Sequence, residues 1–511
     1  MEKKKEEEIK MSQNLKKLQN YMENMNRFSH VVTLLQWDMY TGVPKEGYDK
    51  HADAVAYFST EQFKMSVDPK LKELLETLNT KEEYEKLNED WKFIVKKMKR
   101  DFDRNEKIPQ EVYEEYVRAL SDSQRAWEEA KNASDFNLFA PYLKKIIELV
   151  KKLVSYTDPE KEIYDALLNQ YEEGMDSKTI DRIFDNLKEE LIPMIQKITA
   201  AELPKNSKFE GFYDPDTQEK VQKMLLDYIG FRWSRGAVGR TEHPFTLNFT
   251  SRDVRVTNHF YEDNAISAIF SAIHEGGHGI FEQNVKEELD GTVAGSCCYM
   301  GIHESQSRFY ENIMGRNINF WVPIYEKLQN LLPNFKEISL EEFYREINRV
   351  ENSLIRVEAD EVTYCQHIIL RYEMEKAIFR DNVSVEELPK LWNEKMQDYL
   401  QITPENDACG ILQDMHWSGG SFGYFPTYLL GSIYDGMLLE QIEEELGSLD
   451  IILREGRILE VTHWLNEKIH QYGSSRLPKD TLYAVCKKEV TAEPLIHYFK
   501  EKYSKLYGIQ L

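Results

Sequence analysis

The chain has 511 residues, with 65 Lys and Arg against 89 Asp and Glu, and its formal net charge of −24 repels a phosphate backbone and excludes nucleic-acid binding. Hydrophobic residues at 41% and aromatic residues at 12% suffice for a sizeable core, while 30% charged residues fit long amphipathic surface helices. The opening Met1-Glu2-Lys3-Lys4-Lys5-Glu6-Glu7-Glu8 lacks the apolar stretch of a signal peptide, no run reaches the length of a membrane span, and five cysteines, with Cys297 and Cys298 adjacent, form no disulfide framework. A cytoplasmic protein with reduced thiols is expected.

No long Pro-, Gly- or Ser-rich linker interrupts the sequence, so residues 1–511 read as one large, mainly α domain of two lobes, the first covering about 1–200. Hydrophobic periodicity predicts helices over 12–35, 50–78, 81–104, 110–132 and 138–155. Pro204, Gly211, Pro215 and the stretch from Gly230 to Pro244 then break the helical signal. Phe245-Thr246-Leu247-Asn248-Phe249 and Val254-Arg255-Val256-Thr257 alternate as short strands joined through Ser251, Arg252 and Asp253, which predicts a small sheet. An edge strand there offers main-chain hydrogen bonds to an extended peptide, and a purely structural hairpin is the competing expectation.

Residues 265–285 follow with Ile266, Ile269, Phe270, Ile273, Ile280 and Phe281 at helical spacing, and Asp263 or Asn264 as the cap. This helix carries His274-Glu275-Gly276-Gly277-His278. Four-residue spacing turns both imidazoles to one face, where neutral ring nitrogens can hold a tetrahedral zinc while Glu275 reaches a metal-bound water. Two consecutive glycines inside a helix cost about 1 kcal/mol each relative to alanine, so they require a close approach by another backbone.

A catalytic zinc site needs a third protein ligand and an open position. Phe281 and Asn284 occupy the places where a metzincin extension would need Gly and His, which leaves a downstream carboxylate. Glu304 is the best candidate, in Gly301-Ile302-His303-Glu304-Ser305-Gln306-Ser307-Arg308, where Ser307 and Arg308 lie one turn on and can orient it. Glu282, Glu287, Glu288 and Glu311 are weaker rivals, and Cys297 and Cys298 are expected in packing, not as ligands. The clearest later helices are 339–381 and 484–505.

HEGGH followed at this distance by HESQSR resembles the zinc carboxypeptidases of the Taq type, family M32. Trp37-Asp38-Met39-Tyr40-Thr41, Asp253-Val254-Arg255-Val256-Thr257, Ile355-Arg356-Val357-Glu358-Ala359-Asp360 and Gly410-Ile411-Leu412-Gln413-Asp414-Met415-His416-Trp417 resemble further motifs of that family, in the expected order. Val43, Asn258, His259 and Tyr299 depart from the pattern, none of them at a metal ligand. The resemblance implies a large helical metallopeptidase with a central cleft, a homodimer, peptide substrates with a free C-terminus, and removal of single residues with broad specificity.

Under that reading one Zn2+ per subunit sits on His274, His278 and Glu304, with Co2+ able to substitute, and Glu275 serves as general base and then general acid. Tyr424 or His416 is the candidate second donor to the developing oxyanion. Arg356 is the candidate reader of the terminal carboxylate, with a salt bridge to Asp360 as the competing expectation, and Gln413 and His416 are expected to hydrogen-bond the substrate backbone. HExxH with a distant Glu does not by itself distinguish an exopeptidase from an endopeptidase; dependence on a free carboxyl end does.

Overall fold

A computed structural model describes residues 13–201, 203–296 and 299–511. The protein is mainly helical, and its described strands form one three-stranded sheet. Buried apolar side chains from Leu15 to Tyr503 form one continuous core. Among the described residues no helix is long and apolar enough to cross a membrane.

The first helices are Gln13–Thr41, Tyr48–Ser66, Pro69–Leu78, Glu89–Glu106, Gln110–Ala133 and Phe136–Thr157, with the short turn of helix Lys81–Tyr84 between the third and fourth. Two predicted helices are therefore split. Asp68 caps a new helix by accepting from the Lys70 N–H, with Pro69 in its first turn, and Asn88 does the same for the Trp91 N–H.

The sheet has the order β1-β3-β2, with β1 Gly236–Arg240, β2 Thr246–Thr250 and β3 Asp253–Asn258. β2 and β3 form the expected antiparallel pair, with a register irregularity between Asn248 and Thr250. β1 runs parallel to β3 and was not expected, because its Gly236 and Gly239 weaken any strand pattern. A Cβ at Gly239 would stand 2.9 Å from the Trp37 ring, so glycine lets the first helix approach the sheet. Arg255 lies over both Trp37 and Phe249 while chelating Asp253, which joins the WDMYT and DVRVT segments in one cluster.

The helix Ala265–Asn284 follows, capped by Asn264 accepting from the Ser267 N–H, and Met300–Arg308 packs across it and continues as a π-helical segment, Phe309–Met314. Two later helices, Thr363–Phe379 throughout and Phe425–Leu446 as far as Leu438, are buried on nearly every side and so lack a polar stripe there. The continuous helix expected over 339–381 is corrected. Leu340–Ile347 ends early, residues 348–362 are irregular apart from a 3-10 turn at Arg356–Glu358, and Thr363–Phe379 starts anew. Asp360 drives the restart by accepting from the Val362 and Thr363 N–H groups and the Thr363 hydroxyl. The predicted helix 484–505 is likewise two, Pro478–Cys486 and Glu493–Tyr507.

Candidate metal centre and substrate cleft

Both glycines of HEGGH have a steric reason. A Cβ at Gly277 would lie 2.8 Å from the Gln306 carbonyl oxygen and from the Ser307 Cα, and one at Gly276 would meet the side-chain tips of Ile229 and Leu226. Gly277 thus lets the Met300–Arg308 backbone close onto the first helix. From the other side Gly431 of Phe425–Leu446 leaves room for Glu304, since a Cβ there would stand 3.0 Å from the Glu304 Cγ. Three helices converge at this point.

The convergence brings His274, His278 and Glu304 together, with one possible ligand atom from each within 4.8 Å of the others. The His278 Nε2 lies 3.6 Å from the Glu304 Oε2, near the roughly 3.3 Å edge of a tetrahedral zinc site with bonds of about 2.0–2.1 Å. Two imidazoles and one carboxylate are a donor set suited to a divalent metal. Burial, the largest influence on His274, opposes its charged form, yet Glu311, Glu304 and Glu275 together lift its pKa to about 9. The carboxylates favour positive charge at His274, whereas burial holds His278 neutral, and the donor set fits a divalent metal.

Each donor is braced. The His274 Nδ1 is 2.8 Å from the Glu311 Oε2, the Arg308 Nε donates to the Glu304 Oε1 at 2.6 Å, and the His278 Nδ1 meets the His303 Nδ1 at 2.6 Å. Arg308 is where the sequence places it, but Ser307 donates to the Glu304 main-chain carbonyl, not to the carboxylate. Glu311, considered as a rival ligand, is instead the partner of His274. It lies seven residues after Glu304, two turns along one face, which was the available signal. Glu282 pairs with His303 at 2.9 Å, whereas Glu287 forms ion pairs with Arg235 and Arg252 at the surface. The residues at 297 and 298 lie outside the described ones.

Glu275 is 7% exposed, and its Oε2 accepts from the Thr246 hydroxyl at 2.6 Å, so the edge strand β2 orients it. Burial raises its pKa, with Glu304 adding to the rise and His274 and Thr246 opposing it. Thr246 was not legible in the sequence as a partner of Glu275, because alternation there marks only a strand.

Glu304 connects to the remaining candidates through aromatic and guanidinium groups. The Arg308 guanidinium lies 4.0 Å over the Tyr364 ring, and the Tyr364 hydroxyl accepts from the Arg356 Nη1 at 3.1 Å. Arg356 and Asp360 do not share a helix face. The guanidinium pairs with Asp414 instead, donating to its Oδ1 from Nε and Nη2 at 2.9 and 2.8 Å, while Arg371 holds the Oδ2. Two guanidiniums around one carboxylate leave an unneutralised positive charge, and Asp414 is held well below the usual carboxylate range by Arg371 and Arg356 despite burial.

Gln413 accepts from the Arg356 N–H at 3.0 Å and donates to the Cys409 and Gly410 carbonyls, so its amide staples Arg356 to the turn at Cys409 and Gly410. The His416 Nε2 is 3.2 Å from the Tyr428 hydroxyl, and its ring lies 5.6 Å from that of Tyr424. Burial pulls the His416 pKa down to about 4, with Arg356 and Arg371 adding to the fall, so it is a neutral hydrogen-bonding group at pH 7. Its Nδ1 is buried without a partner among the described residues. Tyr424 keeps its proton because burial and the Glu304 charge push its pKa far up.

The sequence pattern of the family described as carboxypeptidase Taq (M32) metallopeptidase matches residues 17–503. Carboxypeptidase 1 of Bacillus subtilis is 44% identical over 488 residues, covering 95% of this chain and 97% of that one. Thermostable carboxypeptidase 1 of Thermus thermophilus is 34% identical over 503 residues, covering 96% and 99%. The crystal structure of an M32 carboxypeptidase from Deinococcus radiodurans R1 superposes with a TM-score of 0.94 at 28% identity, covering 98% of this chain and all of that one. A match over nearly the whole length, joined to a cage of donors suited to a metal, makes this chain a metallocarboxypeptidase of the Taq (M32) family.

Proposed function

We propose that the protein is a zinc-dependent exopeptidase of broad specificity that removes single residues from the free carboxyl end of peptides. His274, His278 and Glu304 hold the ion, and Co2+ can replace it. When bound, zinc lowers the pKa of a water toward about 7 and polarises the scissile carbonyl. Glu275, braced by Thr246, takes the proton as the water oxygen attacks the carbonyl carbon and returns it to the leaving amine nitrogen as the C–N bond breaks. His416 or Tyr424 donates a hydrogen bond to the carbonyl oxygen as negative charge gathers on it.

Arg356 reads the terminal carboxylate, held in place by Asp414 and Gln413. The observation that carries the exopeptidase reading is the excess positive charge of the Arg356–Asp414–Arg371 group, separated from the Arg308–Glu304 pair by the single ring of Tyr364. A peptide end anchored there presents its last peptide bond, not an internal one, to the cage. A homodimer is proposed from the family resemblance alone, and a cytoplasmic location from the charged, signal-free opening of the sequence.

Timed digests of one unstructured peptide, with a free or an amidated end and with or without chelator, test the reading by mass spectrometry. A chelator-sensitive ladder losing single residues from the free end, and blocked by amidation, is expected. Internal cuts in both peptides would replace the exopeptidase reading with an endopeptidase.

A further inference from the structure

We infer that His303 is a positioning residue for the metal ligand His278, fixing its ring through an imidazole-to-imidazole hydrogen bond anchored on Glu282. The inference rests on the ligand set proposed above. His278 turns its Nε2 toward Glu304, and its Nδ1 lies 2.6 Å from the Nδ1 of His303. A ring that ligates through Nε2 carries its hydrogen on Nδ1, so His278 donates and the His303 Nδ1 accepts.

Acceptance at Nδ1 requires the His303 hydrogen on Nε2, and that atom faces the Glu282 Oε1 at 2.9 Å. The other Glu282 oxygen accepts from the Asn248 side-chain amide on β2. The Glu282 carboxylate, which can only accept, therefore sets the hydrogen order: Asn248 and His303 donate to it, and His278 donates to His303. The His278, His303 and Glu282 side chains are nearly enclosed, with 6% to 13% of each exposed, so water competes little for these bonds.

His274 is supported differently, by direct contact with the Glu311 carboxylate. Glu282 lies four residues after His278 on the same helix, yet an imidazole stands between them. Packing alone does not explain His303, because contact with the Phe281 ring at 5.3 Å calls for no approach of two ring nitrogens. The role also differs from that of Glu304, its neighbour in sequence, which offers its carboxylate to the cage itself.

Zinc dissociation constants of the purified protein, measured by chelator competition, test the inference. His303→Ala is expected to weaken zinc binding by about 10- to 100-fold, the usual effect of losing a group that orients a ligand. His303→Asn, whose Oδ1 can take the place of the accepting Nδ1, is expected to recover most of that loss. The thermal midpoints of the metal-stripped variants separate positioning from folding. Wild-type affinity in His303→Ala overturns the inference, as do equal losses in the Ala and Asn variants matched by equal falls in metal-free stability. His278→Ala is measured alongside, and if it holds zinc as tightly as the wild type, the ligand set itself fails whatever His303 does.

Discussion

Replacing Gly277 by alanine adds one methyl group where two backbones touch. The new Cβ would lie 2.8 Å from the Gln306 oxygen and the Ser307 Cα, against an ordinary contact of 3.4 Å or more, so the two helices must part by about 0.6 Å. Overpacking of this kind costs about 1–3 kcal/mol, and the alanine returns about 1 kcal/mol of helix propensity, so fold stability changes by no more than about 2 kcal/mol. Metal geometry is less tolerant. Ligand distances hold within about 0.2 Å, and the parting moves Glu304 away from His274 and His278, so zinc affinity should fall at least tenfold, about 1.4 kcal/mol. Gly276→Ala is the control, because its Cβ meets only the tips of Ile229 and Leu226, which can change rotamer. Chelator competition and thermal unfolding on both variants give the comparison. Wild-type zinc affinity in Gly277→Ala, or equal losses in the two variants, would mean that the backbone contact at Gly277 does not set the metal geometry.

Glu311→Gln keeps an acceptor for the His274 Nδ1 but removes its charge, and should weaken zinc binding by about tenfold, while Glu311→Ala should cost about 100-fold; unchanged affinity in both would remove Glu311 from the site. Arg356→Lys keeps the charge but loses the planar fork on Asp414, so KM for a peptide with a free end should rise at least tenfold, and equal KM values would assign the carboxylate to another group. Glu375 is buried under the Trp417, Tyr164 and Gly423 donors, and burial outweighs them to raise its pKa to about 7. The folded state then keeps a proton that the unfolded state releases near pH 4.5, so this group's contribution to stability falls as pH rises from 4.5 to 7, by at most about 3 kcal/mol, and is level above. Urea unfolding of wild type and Glu375→Gln at pH 5 and pH 7 should show the wild type losing more stability across that interval, and parallel behaviour would contradict it.

The metal-site helix was legible because its signals are local: apolar spacing, the Asn264 cap, and a glycine pair that demanded a close neighbour. Glu304 and Arg308 were legible for the same reason, one helical turn apart on a second periodic segment. β1 was not, because its partner β3 is supplied by the tertiary structure and its two glycines carry no pattern. The break between Leu340–Ile347 and Thr363–Phe379 was hidden by Val350, Leu354 and Ile355, which prolong an apolar rhythm across an irregular stretch, although Asp360 carried the cap signal. Arg356 was read against Asp360, four residues away, while its partner Asp414 lies 58 residues on, and no periodicity links them. The supporting contacts of His303 and Thr246 are of the same kind. They join elements that only the packed core brings together.

Metal content and turnover measured on the same preparation of Glu275→Gln separate metal binding from proton transfer. The amide leaves His274, His278 and Glu304 untouched but cannot take a proton from the attacking water, so one zinc per chain, as in the wild type, is expected, with turnover lower by about three orders of magnitude or more. Full zinc content with full activity would contradict that expectation, because the proton would then have to pass through a group other than Glu275.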